Sequence, residues 1–172
     1  MRSKHLFFIL CSLVLMSHCG LFNKNKNLNN NNPNNNTSNS NVRYNAKVIT
    51  TVVNTARSYV GTPYRYGGVT EDGLDCSGLV TLAFQSVKLK LPRVSAEMAT
   101  IGREVNVRDV HVGDLVFFVT NDGTRINHVG IVTERKSPDN IQFIHSANSG
   151  VREDNLFTKY YQSTFAKATR PF

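Results

Sequence analysis

The segment DCSGLVTLAFQSV, residues 75–87, places a cysteine where a helical hydrophobic pattern begins. Its apolar side chains recur at the three- and four-residue spacing of an amphipathic helix: Leu79, Val80, Ala83, Phe84 and Val87. Asp75 is suited to cap the first turn, because its carboxylate can accept hydrogen bonds from the unpaired N–H groups there. The pattern predicts a helix that starts at or just before Cys76.

Cys76 occupies a position that favours reactivity. The first turn of a helix presents unpaired N–H groups and the positive end of the helix dipole, and both favour a thiolate over a thiol. The same N–H groups can hold the oxyanion of a tetrahedral intermediate in acyl transfer. Ser77 and Gly78 are small and leave room for a substrate. The sequence equally allows Cys76 to be a small buried hydrophobic residue that opens a core-facing helix.

The N-terminus has the pattern of an export signal. Met1–His5 contains two basic side chains, and Leu6–Met16 is an almost uninterrupted apolar run. A run of this length is too short to span a bilayer as an ordinary helix, which indicates a signal peptide. The run ends before Cys19 in a way that is similar to bacterial lipoprotein signals, although His18 stands where a small residue is usual. We predict a lipoprotein-type signal peptide over residues 1–19 with Cys19 as the lipidation site; simple cleavage is the alternative.

The three cysteines of the chain have different predicted roles. Cys11 lies within the leader and Cys19 lies at its end, so Cys76 is the only thiol in the region predicted to fold. An exported domain with one thiol forms no internal disulfide. Its cysteine is therefore either an inert core residue or a reactive one.

The remainder of the chain divides into a tether and one domain. Residues 20–44 are dominated by asparagine and have too few apolar side chains to offset the entropy of ordering, which predicts a flexible tether. Residues 45–172 have the length of a single globular domain. The formal net charge of +8 suits acidic lipids or an anionic wall polymer. Lysine and arginine are scattered without zinc-finger spacing, so we expect no nucleic-acid partner.

Hydrophobic periodicity predicts helices first and strands afterwards. Besides the cysteine helix, it predicts a helix over Ala46–Tyr59 and a short helix over Ser95–Ile101. Later segments bounded by turn residues predict strands: Leu115–Thr120, His128–Glu134, Ile141–His145 and Phe165–Arg170. This order indicates an α+β domain with an antiparallel sheet and helices on one side.

Two histidines lie at the ends of predicted strands. His128 begins one strand and His145 closes the next, so their imidazoles can meet at one edge if the strands pair. A thiolate nucleophile normally needs an imidazole that is distant in sequence and close in space. The pair would supply a base and a group that holds its ring, giving a Cys–His–His line with Cys76. His111 lies in a turn, and we expect a structural role for it.

Six segments, including the start of the cysteine helix, follow one another along the chain in a defined order. They are GTPYRYGG (61–68), DCSGLV (75–80), LPR (91–93) with Ser95, GDLVFF (113–118), HVGI (128–131) and FIHSA (143–147). This ordered set resembles the NlpC and protein-60 family of cell-wall endopeptidases. The resemblance implies a papain-like core, in which the helix bearing the cysteine packs on a small antiparallel sheet. It also implies hydrolysis of amide bonds in peptidoglycan stem peptides or crosslinks, with no cofactor and no metal.

The resemblance implies a role for each matching catalytic residue. Cys76 matches the nucleophile, His128 the general base, and His145 the third polar residue that orients His128. The implied partners are peptidoglycan peptides and, through the N-terminal anchor, a lipid membrane. We expect a monomer that is exported and anchored facing the periplasm or the cell wall.

Four other residues match positions near the reacting bond. Tyr64 matches a tyrosine near the oxyanion site, and packing of a loop aromatic is the alternative for it. Asp75 and Ser77 match positions that hold the substrate's amino end or the geometry of the site; for Asp75, helix capping can coexist with either role. Ser95 is expected to line the groove.

Three other functions are compatible with these residues. Cys76, His128 and His145 could bind zinc with an open position, although no CxxC or HExxH spacing supports a metal. The domain could hold wall peptides without cleaving them, although binding alone would not require an intact Cys–His–His set. An acyltransferase would use the same residues and pass the acyl group to an amine or alcohol instead of water.

Overall fold

The helices and strands of the domain follow the predicted α+β order. The computed structural model describes residues 45–171; the predicted signal peptide, its Cys19 and the tether over residues 20–44 lie outside the described residues. The helices are α1 (Ala46–Ser58), α2 (Cys76–Gln85), α3 (Ser95–Met98) and α4 (Lys159–Thr164), with a 3-10 turn at Val107–Asp109. Within these residues, none of the helices combines the length and the apolar character that a bilayer span requires.

The described residues contain eight strands in two sheets. β1 (Val69–Thr70) and β2 (Gly73–Leu74) form a small antiparallel hairpin just before α2. The main sheet contains β3 (Arg103–Val105), β4 (Leu115–Phe118), β5 (His128–Ser137), β6 (Asn140–Ala147), β7 (Gly150–Asn155) and β8 (Phe165–Arg170). Its order is β3-β8-β4-β5-β6-β7, and each neighbouring pair is antiparallel.

Alternate side chains of the main sheet face two separate apolar layers. Leu115 and Phe117 of β4 face a layer that includes Val52 and Ala56 of α1 and the buried apolar side chains of α2. The intervening Val116 and Phe118 face a second layer, to which α4 contributes Tyr161. Packing in the first layer holds α2 against β5 and β6. The N-terminus of α2 is thereby fixed beside the start of β5.

The predicted α+β fold with an antiparallel sheet is confirmed. The three predicted helices correspond to α1, α2 and α3, and the four predicted strands correspond to β4, β5, β6 and β8. The prediction that helices lie on one side of the sheet is wrong for α4, which packs on the opposite face from α1 and α2. The strands β3 and β7 and the β1–β2 hairpin were not predicted, because their short, largely polar segments lack a hydrophobic period.

Candidate active site

β5 and β6 bring the two predicted site histidines together. The strands pair with Ile131 opposite Ile144, a register that makes His128 and His145 diagonal neighbours on one face. His128 Nε2 lies 2.9 Å from His145 Nδ1. His145 Nε2 lies 3.0 Å from Asp154 Oδ2. The two imidazoles and the carboxylate therefore form one hydrogen-bonded line.

The two imidazoles are held in their neutral form. Burial lowers the pKa of His128 to about 3, and the neighbouring His145 acts in the same direction. Burial also lowers the pKa of His145, and the hydrogen bond and charge of Asp154 oppose this shift without reversing it. A neutral imidazole keeps one unprotonated ring nitrogen. At neutral pH His128 can therefore accept a proton.

The Cys76 thiol lies in the first turn of α2 and is only 8% exposed. Its Sγ donates a long hydrogen bond of 3.9 Å to the backbone oxygen of Asn127. Burial raises the pKa of Cys76, and this outweighs the opposing effect of backbone N–H groups, among them that of Val129. The N–H groups at the helix start, those of Cys76 and Ser77, lower the pKa as expected, but desolvation is the larger influence. In the free protein Cys76 is a neutral thiol that needs a base.

Asp75 joins the start of α2 to the segment before α3. Its Oδ1 accepts a hydrogen bond of 2.6 Å from the Gly78 amide, which confirms the predicted helix cap. Arg93 donates to both carboxylate oxygens, at 2.9 Å to Oδ1 and 2.6 Å to Oδ2. Burial raises the pKa of Asp75, but the hydrogen bonds of Arg93 and Gly78 outweigh it and the net shift is downward. Asp75 is therefore an ionised carboxylate whose two oxygens are both occupied by protein donors.

Ser77 belongs to the same hydrogen-bonded group. Its Oγ donates to Asp75 Oδ1 at 3.1 Å and accepts from Arg93 Nη1 at 2.6 Å. The side chain is 6% exposed. These contacts favour a role for Asp75 and Ser77 in fixing the geometry of the helix start.

Two cavities meet at Cys76. The first has a volume of about 570 Å³, and its lining includes His128, His145, Arg152 and Tyr160. The second has a volume of about 490 Å³, and its lining includes Asp75, Ser77, Arg93 and Ser95. Four residues line both cavities: Tyr64, Tyr66, Cys76 and Asn127. The structure thus brings all the predicted site residues of the domain to a groove that extends to either side of the thiol.

Tyr64 and Ser95 border this groove in different ways. Tyr64 is partly exposed, and burial, with the charge of Asp75 acting in the same direction, raises the pKa of its phenol, which remains a hydrogen-bond donor at neutral pH. Ser95 is buried at the first turn of α3. His111, by contrast, is exposed and lines neither cavity.

Three functional candidates were missed by sequence reasoning. Asp154 and Tyr161 contact the outer nitrogen of His145, and Arg152 binds the Asp154 carboxylate. Arg152 and Asp154 are two residues apart on β7, and Arg152 lies directly opposite His145 on β6. Strand alternation in VREDN could have indicated a shared face, but the high charge of this segment resembles a loop.

The arrangement of donors argues against the zinc alternative. Both ring nitrogens of His145 already have partners, His128 on one side and Asp154 on the other. Within residues 45–171, no group of three or more His, Cys, Asp or Glu side chains has the arrangement of a metal site.

Comparison with known proteins assigns the chain that carries this groove to a known family. The model of the NlpC/P60 family matches residues 61–170, a span that contains every site residue described above. The chain belongs to the NlpC/P60 family. This confirms the predicted family, and the NlpC/P60 fold agrees with the predicted papain-like core.

Relatives of this NlpC/P60 chain include proteins named as endopeptidases. The probable endopeptidase NlpC of Escherichia coli K12 is 41% identical over 125 residues, which span 72% of this chain and 78% of that protein. The murein DD-endopeptidase MepS/murein LD-carboxypeptidase of the same organism is 34% identical over 128 residues, which span 73% of this chain and 64% of MepS.

Solved structures of NlpC/P60 proteins share the fold. A Staphylococcus aureus protein described as similar to lipoprotein, NLP/P60 family, has a TM-score of 0.65 and 28% identity, covering 78% of this chain and 44% of that chain. The peptidoglycan hydrolase RipB of Mycobacterium tuberculosis has a TM-score of 0.60 and 26% identity, covering 73% of this chain and 65% of RipB.

Proposed function

We propose that this chain is a cysteine-type endopeptidase that hydrolyses amide bonds in peptidoglycan stem peptides or their crosslinks. The observation that carries the proposal is the position of Cys76 where two cavities meet, with the hydrogen-bonded pair of His128 and His145 in one wall. The names of the relatives NlpC, MepS and RipB support the reaction and the substrate class. No cofactor or metal is required.

The first half of the reaction forms an acyl-enzyme. His128 takes the proton of the Cys76 thiol as the sulfur attacks the carbonyl carbon of the substrate amide. The tetrahedral oxyanion is held by N–H groups at the start of α2 and by the Tyr64 hydroxyl. The protonated His128 then gives its proton to the leaving amine, and the C–N bond breaks to leave a thioester on Cys76.

The second half releases the acid. His128, neutral again, takes a proton from a water molecule that attacks the thioester carbonyl. The C–S bond breaks, and the proton returns from His128 to the Cys76 sulfur. His145 holds the His128 ring through both halves, because the 2.9 Å contact between them fixes its orientation.

The groove supports binding on both sides of the cleaved bond. The cavity that contains the two histidines would receive the leaving amine, since His128 must protonate it. The cavity that contains Asp75, Ser77 and Ser95 would then receive the acyl part of the substrate. In this arrangement Arg93 and Asp75 keep the helix start in place, and Ser95 lines the acyl side.

The deciding experiment is digestion of purified peptidoglycan by the wild type and by Cys76→Ala, with fragments identified by mass. We expect fragments from the wild type and none above background from the variant. Products that differ from the substrate peptides by one water indicate hydrolysis, whereas products joined to an added amine indicate acyl transfer. Wild-type activity that survives thiol alkylation but stops with a chelator would contradict the proposed cysteine mechanism.

Export and anchoring form a separate part of the proposal. The leader over residues 1–19 would direct export, and lipidation of Cys19 would fix the protein to the membrane that faces the wall. The description of one solved relative as similar to lipoprotein supports this view. The domain itself would act as a monomer.

The fold alone does not decide between cleavage and binding. RipD of Mycobacterium tuberculosis has a TM-score of 0.59 and is described as a non-catalytic NlpC/p60 domain protein adapted to peptidoglycan binding. For this chain, the proposal of catalysis depends on the Cys76, His128 and His145 set rather than on the architecture.

A further inference from the structure

The Asp154 carboxylate is the centre of a cluster behind His145. Its Oδ2 lies 3.0 Å from His145 Nε2 and accepts a hydrogen bond of 2.8 Å from the Tyr161 hydroxyl. Arg152 donates to the same oxygen through Nε at 2.9 Å and through Nη2 at 2.6 Å. Three side chains from β6, β7 and α4 thus converge on one oxygen atom.

These contacts determine which nitrogen of His145 carries the proton. An ionised carboxylate only accepts hydrogen bonds, so His145 Nε2 must be the protonated nitrogen that donates to Asp154. Neutral His145 has a single N–H group, so its Nδ1 is an acceptor. His145 itself is fully buried, and water cannot supply an alternative partner from the surface.

The same logic extends to His128. Because His145 Nδ1 accepts, the 2.9 Å contact requires His128 Nε2 to be the donor. Neutral His128 then has its free lone pair on Nδ1. If His145 carried its proton on Nδ1 instead, His128 Nε2 would have to accept and His128 Nδ1 would be protonated. In that second state His128 Nδ1 could not take a proton from Cys76.

We propose that Asp154 is a positioning residue that sets the tautomers of both histidines, so that His128 presents an unprotonated Nδ1 to Cys76. This inference rests on the proposed cysteine-peptidase function. It adds a fourth residue to the Cys–His–His line, acting two hydrogen bonds away from the base. The same carboxylate stabilises the imidazolium that forms when His128 takes the proton.

The surroundings of Asp154 keep it ionised and in place. Burial raises its pKa, but the hydrogen bonds of Arg152, Tyr161 and His145 outweigh burial, and the net shift is downward. Burial and the bond to Asp154 raise the pKa of Tyr161, which therefore remains a donor. Tyr161 also packs edge-on against Phe143 and so fixes its hydroxyl against the carboxylate.

Histidine tautomers can be measured directly. In ¹⁵N-histidine-labelled protein at neutral pH, long-range ¹H–¹⁵N spectra distinguish Nε2–H from Nδ1–H rings. We expect wild-type His128 and His145 to be Nε2–H tautomers. Asp154→Ala should shift both toward Nδ1–H, whereas Asp154→Asn should shift them less, because its amide oxygen can still accept from His145. Unchanged tautomers in Asp154→Ala would overturn the inference.

Kinetics provide the second readout. We expect Asp154→Ala to lower kcat on peptidoglycan fragments by about 10- to 100-fold, within the loss that follows from impairing a general base, with KM changed by less than about threefold. Asp154→Asn should recover part of kcat. Glu153→Gln is the matched control, since its carboxylate binds Arg57 instead of the histidines, and it should retain wild-type kcat. A rise in KM with unchanged kcat would contradict a positioning role.

The two readouts also separate this inference from the proposed function. If the wild type cleaves no peptidoglycan, the proposed function fails, while the tautomer spectra still test the role of Asp154. If Cys76→Ala abolishes cleavage and Asp154→Ala changes neither spectra nor kcat, the function stands and the role of Asp154 fails.

Discussion

A buried, neutral His128 makes the stability of the domain depend on pH. Burial and His145 lower its pKa from 6.5 to about 3 in the folded protein, whereas an unfolded chain titrates near 6.5. Between these values the unfolded state binds more protons. The contribution of His128 to the free energy of unfolding is therefore fully present above about pH 7 and is lost as the pH falls toward 3. We expect His128 to contribute up to about 1.4 kcal/mol per pH unit to the slope of the free energy of unfolding against pH.

Urea denaturation between about pH 5 and about pH 7.5, above the ordinary range of carboxyl titration, measures this slope. His128→Gln removes the titrating group and should reduce the slope, leaving the contribution of His145, whose pKa is also lowered by burial. His111→Gln removes an exposed histidine and serves as the control. Equal slopes in the wild type and in His128→Gln would refute the assignment.

Some residues of the site could be predicted from the sequence and others could not. His128 and His145 each border an apolar strand, so pairing of neighbouring strands was enough to bring them together. Asp154 lies in a segment of edge strand β7 where charged residues succeed one another, and no hydrophobic alternation indicates which face it occupies. The raised pKa of Cys76 was also missed, because its main cause is burial, which only tertiary packing determines.

At the scale of elements, the first turn of α2 packs tightly against the loop before β1. A Cβ at Gly78 would overlap the carbonyl oxygen of Gly68. Gly78→Ala must therefore push the helix start away from this loop and disturb Cys76. Although alanine favours helices, we expect a loss of about 1–3 kcal/mol in the free energy of unfolding, together with a lower kcat.

Urea unfolding and peptidoglycan digestion of the same preparation test this expectation. Gly123→Ala is the matched control, since a Cβ there meets mainly the side chain of Asn121 in an exposed loop. The control should keep both the stability and kcat of the wild type. If Gly78→Ala were more stable than the wild type, helix propensity would outweigh packing and the account of this contact would be wrong.

Helices that bury a long apolar face could be predicted from the sequence, and a helix that buries a single side chain could not. α1 and α2 each bury a continuous face; periodicity predicted the start of α1 at Ala46, and periodicity with the Asp75 cap predicted the start of α2 at or just before Cys76. α4 has only six residues and one buried side chain, Tyr161, so no period can be recognised. Its N-cap, Thr158, is visible in the sequence but is too common a residue type to indicate a helix alone.

At the scale of the whole molecule, the predicted anchor and the domain are separated by the 25 residues 20–44. If residues 20–44 form the flexible tether predicted from their composition, their end-to-end distance is roughly 25–30 Å, and their fully extended limit is about 85 Å. With Cys19 in a lipid, these lengths would confine Cys76 to the part of the wall nearest the membrane. Attachment would therefore limit where a lytic enzyme can cut.

This argument requires lipidation of Cys19, which metabolic labelling with a fatty acid can test. We expect label on the wild type and on Cys11→Ala, which is the matched control because it removes the other leader cysteine. Cys19→Ala should carry no label and should leave the membrane fraction, because a domain without an acyl chain loses the main source of membrane affinity. Its cuts should then spread through the whole thickness of the cell wall, whereas the anchored enzyme cuts only near the membrane. Label on neither wild type nor control would mean simple secretion, and the restraint would have to come from elsewhere than the tether.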